Sequence, residues 1–296
     1  MPDMREQSAE LRMPADVGRY TIAKSFEVTA RSITAFAGGV DDFNPVYFED
    51  DRPGGLIAHP GMVFSWQWNS RFTPDIEYPL ELVRRGVHAW VDVQFERHAR
   101  EGDVITSQGQ SVAVKQVKPG VLSAQRFTFR DSQGETIAIM DTGGITRGAE
   151  LEGNDSEIAS APPLPQRSSD SGDPVWSTTF AIDPQAPHVY TECADIWNPI
   201  HTERKVALAA GLPDIILHGS ANILIALREV INRSLDGDPT RLSRFAGQFR
   251  GMVIPGEDVT VNALEVRDEG DRVIVFYEMR NHLGELAIAN GVVVAS

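Results

Sequence analysis

The two halves of this sequence are related to each other. Four short segments of the first half return in the same order in the second half. The matching pairs are residues 44–49 with 198–203, 56–59 with 215–218, 94–95 with 248–249, and 130–135 with 280–285. Ordered matches at a nearly constant spacing, 154 residues for the first and third pairs, indicate an internal duplication. A chain of 296 residues is long enough to give each copy a core of its own.

Each copy is predicted to contain a helix and an antiparallel sheet, which is an α+β arrangement. The first copy has a strand pattern at 20–28, helix patterns at 29–37 (with Thr29 as N-cap) and 62–72, and strand patterns at 89–95, 104–117, 121–130 and 136–145. The second copy has a helix pattern at 220–231 and strand patterns at 245–249, 258–267, 271–280 and 286–294. We therefore expect an N-terminal arm at 1–18 and domains at 19–148 and 174–296. The segment between them, 149–173, is rich in Ser, Pro, Asp and Glu and is predicted to be an exposed linker.

Charge and composition exclude several classes of function. The net charge of −15 argues against nucleic-acid binding, which depends on cationic contacts to phosphate. The single cysteine, Cys193, rules out an internal disulfide framework and fits a reducing compartment. No signal-peptide pattern and no run of about 18 apolar residues is present, so we expect a cytoplasmic protein without a membrane partner. His59 and His218 have no third ligand at a suitable spacing, so no metal or other cofactor is expected.

The candidate active site lies in the second copy, between residues 190 and 227. A loop carries Asp195, Asn198 and His201, and a second loop carries His218 and Gly219 at the start of the predicted helix. Backbone N–H groups at a helix start are unpaired and favour negative charge. Acidic, imidazole and N–H groups gathered there suit acid–base chemistry on an anionic or carbonyl-bearing ligand.

These motifs resemble those of the MaoC-like, type 2 enoyl-CoA hydratases. The resemblance rests on the Asn-Pro-Ile-His string ending at His201, the Gly-Leu-Pro break at Gly211, and the Ile-Leu-His-Gly entry to the helix at Gly219. It implies a double hot-dog fold, in which each copy wraps an antiparallel sheet around a long helix. It also implies that the second copy is catalytic and that the first shapes an acyl tunnel. The substrate implied is an acyl thioester, most simply acyl-CoA.

The chain departs from the family motif at one position in each copy. The family places an Asp five residues before the His, where the second copy has Ile196. The first copy has Asp42 at that position but Tyr47 in place of the His. We expect a loop bulge to bring Asp195 into the missing carboxylate's place while Ile196 turns into the core.

The resemblance implies a role for each candidate residue. A carboxylate, Asp195 on this hypothesis, would deprotonate water for attack at the β-carbon, His201 would protonate the α-carbon, and the Gly219 N–H would hold the enolate oxygen. Asn198 completes the catalytic set, although Asn before Pro is also ordinary turn chemistry. The expected substrate-binding residues are Asp42, Tyr47, His59, His218, Arg241 and Arg244, the two arginines as partners of the CoA phosphates.

Three functions remain open from the sequence. The first is an (R)-specific hydratase or dehydratase acting on an enoyl-CoA or 3-hydroxyacyl-CoA. The second is an acyl-CoA-binding protein without activity, which the Ile196 substitution motivates. The third is an acyl-CoA thioesterase, because one fold can host several chemistries. A homodimer is also possible.

Overall fold

The computed structural model describes residues 11–74, 80–168 and 172–296. The first copy begins with two short strands, two helices and a third, six-residue helix. These are β1 (Arg12–Pro14), β2 (Lys24–Glu27), α1 (Ala30–Gly39), α2 (Met62–Asn69) and α3 (Leu80–Arg85). Its four long strands are β3 (Gly86–Phe95), β4 (Val104–Val117), β5 (Gly120–Arg130) and β6 (Thr136–Arg147).

The second copy repeats this plan. Two short strands connect the copies, β7 (Glu150–Glu152) and β8 (Ser156–Glu157). Then come β9 (Trp176–Ala181), α4 (Ala186–Ala194), α5 (Arg204–Ala209) and α6 (Gly219–Ser234). The long strands are β10 (Leu242–Phe249), β11 (Asp258–Asp268), β12 (Val273–Arg280) and β13 (Leu286–Ala295).

A single antiparallel sheet runs through both copies. Its strand order is β2-β4-β5-β6-β3-β10-β13-β12-β11-β9, with β8 added beside β4. The copies are joined where β3 pairs with β10, with Phe245 opposite Val93. Helix α6 packs against β10 to β13, and α2 packs against β2 and β4. The α+β class, with long helices against an antiparallel sheet, agrees with the prediction.

The helices of the two copies share one core. Helices α1 and α4 pack against each other, and a side chain added at Gly39 would lie 2.7 Å from the Cβ of Cys193. Only glycine allows this approach. Gly61 makes the second close contact, because an added Cβ would lie 2.4 Å from Leu224 of α6. The length of the chain allows one large core or two ordinary ones, and the structure has one main cluster that spans both copies.

Local signals explain several boundaries. Thr29 caps α1 in a capping box, accepting from the Ser32 N–H while the Ser32 hydroxyl accepts from the Thr29 N–H. Asn44 and Asn198 each cap a 3₁₀ turn that starts at proline, Pro45–Tyr47 and Pro199–His201. The strand expected at 20–28 is confined to Lys24–Glu27.

The connecting segment is more structured than its composition suggests. Strand β7 pairs in parallel with β1 of the N-terminal arm, and β8 pairs with β4. The Ser160 carbonyl accepts from Arg126, and Ser168 donates to Glu265 of β11. The segment 149–173 is therefore attached to both copies over its described part. Of the arm expected at 1–18, residues 1–10 lie outside the described residues.

Within the described ranges, no helix has the length and apolar character needed to cross a membrane. The same residues contain no group of three or more His, Cys, Asp or Glu side chains arranged to hold a metal ion.

Candidate active site

The second-copy loop starts where α4 ends. Asp195 caps α4 in the left-handed conformation, with φ of 53°. The Ile196 N–H then donates to the Thr191 carbonyl at 3.1 Å, and the Ile196 side chain is buried. The Asn198 side chain accepts from the Ile200 N–H, which sets the 3₁₀ turn that carries His201. These hydrogen bonds set the position of His201 against the shared core.

His201 is buried and is held in one tautomer. Its Nδ1 lies 2.8 Å from the Ile216 carbonyl, so Nδ1 carries the proton and donates it. Nε2 has no partner among the described residues and keeps its lone pair. Burial lowers the pKa of His201 to about 4, so the ring is neutral at pH 7. His201 is therefore available as a general base.

His218 stacks on His201. The ring centroids are 3.7 Å apart and the planes are inclined by 24°. The Nε2 of His218 lies 3.3 Å from both the Ile196 carbonyl and the Thr191 hydroxyl, so it donates a proton there. Burial, with a smaller contribution from His201, lowers the pKa of His218 to about 2. His218 is a neutral ring that fixes the orientation of His201, and its Nδ1 is buried without a partner.

Gly219 supplies a free backbone donor beside these rings. It is the first residue of α6, and its N–H has no acceptor among the described residues. An added Cβ would lie 3.1 Å from the Phe249 ring, so any side chain at this position would crowd that ring. An N–H at a helix N-terminus is well suited to hold an oxyanion.

The loop of the first copy has the same backbone. Asp41 is left-handed with φ of 57°, and the Asp42 N–H donates to the Ala37 carbonyl at 2.9 Å. These contacts match those of Asp195 and Ile196. Ile196 therefore occupies the position of Asp42, and the second loop contains no extra residue. The expected bulge is absent.

Asp195 points to a different neighbour. Its carboxylate and carbonyl accept from the Asn69 amide at the end of α2, both at 3.0 Å, and the residue is exposed. The equivalent contact to Asp41 of the first copy is made by Arg228, which belongs to α6 of the second copy. The Asp195 side chain thus ties its loop to the other copy, and this geometry does not bring it to the position of the missing carboxylate.

The first-copy residues form a closed cluster. Asp42 lies 3.3 Å from the Nε2 of His59, and the Nδ1 of His59 accepts from the Gly61 N–H at 3.0 Å. Tyr47 is fully buried, which raises the pKa of its hydroxyl well above its usual value. Pro60 stands where the second copy has Gly219 and has no N–H to donate. Tyr47 and His59, expected to bind substrate, are buried, and the described residues of this cluster offer neither a free imidazole nitrogen nor, at Pro60, a backbone N–H.

A cavity of about 690 Å³ opens beside Asp42, between this loop and the C-terminal end of α6. Its lining includes the carboxylates of Asp41, Glu49 and Asp236. Phe43, Pro45 and Val46 also line it, so the cavity has both acidic and apolar walls.

The two arginines expected to bind phosphate are engaged elsewhere. Arg244 forms two hydrogen bonds to the buried Asp92 across the junction of β3 and β10, and two further donors bond to the carbonyls of Pro162 and Pro163. Four of its five N–H donors are therefore used within the protein, which leaves one for a phosphate. Arg241 pairs with Asp236 and the Ser296 carbonyl. A charged pair between strands 152 residues apart could not be read from the sequence.

Comparison with known sequences identifies a domain family in each half. The MaoC like domain matches residues 174–285, and the FAS1-like dehydratase domain region matches residues 15–140. The second half of the chain therefore carries a MaoC-like domain, and the first half a FAS1-like dehydratase region. The MaoC-like half is the one that carries His201, His218 and Gly219.

Two relatives with similar sequences are named enoyl-CoA hydratases. This chain is 34% identical over 101 residues to enoyl-CoA hydratase ChsH3 of Mycobacterium tuberculosis, covering 34% of each chain. It is 29% identical over 167 residues to the peroxisomal enoyl-CoA hydratase 2 of Arabidopsis thaliana, covering 53% of this chain and 51% of that protein. The chain thus spans a third to a half of the length of these relatives.

Solved structures confirm the double hot-dog fold. A MaoC-like dehydratase from Phytophthora capsici superposes with a TM-score of 0.77 at 17% identity, covering 95% of this chain and 96% of that one. A Mycobacterium tuberculosis protein described as having a double hotdog fold gives a TM-score of 0.63 at 12% identity, with 95% and 96% covered. The predicted arrangement of two hot-dog copies is confirmed.

Proposed function

We propose that this protein is an (R)-specific hydratase or dehydratase acting on an enoyl-CoA or 3-hydroxyacyl-CoA thioester. The observation that carries the proposal is the pairing of a neutral His201, with Nε2 free, and the free Gly219 N–H at the start of α6. The peroxisomal enoyl-CoA hydratase 2 of Arabidopsis and the peroxisomal multifunctional enzyme type 2 of mouse, 31% identical over 97 residues, support the reaction class.

The reaction assigns a task to each group. Water attacks the β-carbon of the enoyl thioester and gives up a proton to the Nε2 of His201. Negative charge develops on the thioester oxygen and is held by the Gly219 N–H. Protonation of the α-carbon completes the addition. A general acid–base group contributes about 10²–10⁴-fold and an oxyanion donor about 3–4 kcal/mol.

Asn198 differs from its counterpart in a way that fits this assignment. The Asn44 amide nitrogen donates to the Gly237 carbonyl at 2.6 Å, whereas the Asn198 amide nitrogen has no acceptor among the described residues. The side-chain amide donor that binds a backbone carbonyl in the first copy is therefore free to bind substrate in the second copy.

The test is a panel of enoyl-CoA thioesters, from crotonyl-CoA to branched and dicarboxylic chains, incubated with the wild-type protein and with His201→Gln. We expect loss of the enoyl absorbance and formation of the (3R)-hydroxyacyl product, with turnover about 10²-fold or more lower in His201→Gln. Tyr47→Phe, which changes the equivalent residue of the first copy, is the matched control and should keep its turnover.

The same panel separates the alternatives. Ile196 at the carboxylate position motivates a non-catalytic acyl-CoA-binding protein, for which every thioester would bind without any absorbance change. Release of free thiol would instead identify a thioesterase. A cytoplasmic location and a homodimer are part of the proposal, to be checked by fractionation and by light scattering.

A further inference from the structure

Asn222 is a buried polar residue in the first turn of α6, directly before the apolar run that starts at Ile223. Its side-chain oxygen has no hydrogen-bond partner, and only 3% of the residue is exposed. The Asn222 N–H donates to the His218 carbonyl, so Asn222 lies one turn after His218. The Cα–Cβ bond in a helix tilts toward the N-terminus. The amide is therefore directed back toward His218 and Gly219.

The repeat gives an independent indication of what Asn222 faces. Counted from the paired histidines His59 and His218, the first-copy counterpart of Asn222 is Val63. Val63 lines a small cavity together with His59, Pro60 and Phe95. The corresponding second-copy residues are Asn222, His218, Gly219 and Phe249, and the Phe249 ring does lie against Gly219.

An apolar residue would be more stable at this position. A buried amide without a partner costs folding free energy, and the first copy shows that valine fits. Residues that break a packing rule in this way tend to be found at functional sites.

We propose that Asn222 orients the reacting water in place of the carboxylate that is missing at Ile196. This deepens the proposed function and rests on it. The water donates one hydrogen to the Asn222 side-chain oxygen and the other to the Nε2 of His201, which leaves an oxygen lone pair for the substrate.

The step balances with one base. The O–H bond of the water that points at Nε2 breaks, and its proton moves to Nε2, which makes His201 an imidazolium. The oxygen bonds to the β-carbon, and the π electrons of the double bond move to form the enolate at the Gly219 N–H. The imidazolium then returns its proton to the α-carbon. Because one ring takes and gives the proton, both groups add to the same face of the double bond.

The experiment compares four proteins: wild type, Asn222→Val, Ile196→Asp and the double variant. Asn222→Val should lower kcat about 10²-fold with KM for crotonyl-CoA changed by less than about threefold. It should unfold at the same temperature as wild type or higher, because an unpaired polar group has been removed. In the Ile196→Asp background a carboxylate orients the water again, so Asn222→Val should cost less than about threefold.

Ser220→Ala is the matched control, since it changes another buried polar residue of the same turn and should keep its kcat. Should Ile196→Asp fail to fold, Asn222→Asp replaces it: this variant keeps an acceptor and should stay within about tenfold of wild-type kcat, whereas Asn222→Leu should not.

Full activity of Asn222→Val, or an equal loss in both backgrounds, would overturn the role of Asn222 while leaving the hydratase intact. An Asn222→Asp variant that folds but is inactive would also overturn the role of Asn222 and leave the proposed hydratase function intact. If the wild type hydrates no thioester, the proposed function itself falls, and the role of Asn222 falls with it.

Discussion

At the residue scale, the hydrogen bond from His201 to the Ile216 carbonyl decides which imidazole nitrogen can take a proton. The sequence located His201 and Gly219 through their motifs, but it could not show this tautomer, the stacking on His218 or the burial of both rings. The displaced carboxylate was the point at which sequence reasoning was wrong. A bulge was expected at Asp195, and only the matched backbone hydrogen bonds of the two loops show that Ile196 fills the position.

The pH dependence of activity is expected to follow from these two rings, and that of stability in part, since burial also lowers the pKa of His88 to about 4. Burial lowers the pKa of His201 to about 4 and that of His218 to about 2. The base is therefore active from neutral pH down to about pH 5, and kcat should fall only near pH 4. The unfolded chain binds protons at these two histidines below about pH 6.5, whereas in the folded chain they stay neutral down to about pH 4. Stability is therefore complete above that pH and is lost as pH falls through the window from about 6.5 to 4.

Thermal unfolding at several pH values tests this, with kcat measured alongside. His201→Gln should show a weaker dependence of Tm on pH in this window, and His282→Gln, which changes a histidine in an exposed turn, should not. A Tm of the wild type that is independent of pH between about 6.5 and 5 would contradict the buried neutral pair.

At the element scale, the junction of β3 and β10 depends on Arg244. Asp92 is almost fully buried, and burial raises the pKa of its carboxyl, while the hydrogen bonds from Arg244 oppose that rise. Arg244→Met should cost about 3–5 kcal/mol because it leaves a buried charge unpaired. The pKa of Asp92 should then rise further, so protonation relieves the loss, which should be largest at neutral pH and smaller in acid.

Urea unfolding at neutral and acidic pH measures this loss. Arg204→Met removes an exposed ion pair to Asp214 and should change stability by less than about 1 kcal/mol. Adding Asp92→Leu to Arg244→Met should recover most of the loss. A loss that is the same at both pH values would show that packing, not the unpaired charge, is responsible.

Elements with a strong periodic pattern were predicted well from the sequence. Strand β4 begins and ends where the alternation does, and α1 begins after its Thr29 cap. Strands β1, β7 and β8 were missed because their pairing is set by distant partners in the fold and not by a pattern of their own. Asn222 was missed for a similar reason. A single polar residue within a helical pattern gives no sign that its amide lacks a partner.

At the scale of the whole molecule, the two helix starts can be compared directly. We expect Gly219→Pro to lower kcat about 10²–10³-fold by removing the oxyanion donor, since proline suits a first helical position. The conformation of His218, with φ of −59° and ψ of 138°, is one that a following proline accepts. Pro60→Gly, the reverse exchange in the first copy, should leave kcat unchanged. The measurements are the turnover and the Tm of both variants. Equal losses of kcat in the two variants would show that the Gly219 N–H is not the oxyanion donor.

The continuous sheet across β3 and β10 also bears on how such a chain can evolve. In a homodimer of single hot-dogs, every substitution would appear twice, so a mutation that closed one site would close the other. Joining the copies in one chain, with one β3–β10 seam between them, removes that symmetry. The first copy can then carry Tyr47 and Pro60 where the second carries His201 and Gly219, so that only the second copy has to meet the demands of the proposed reaction. The pairing of β3 with β10 in one chain therefore allows one half to be selected for stability and the other for the proposed reaction.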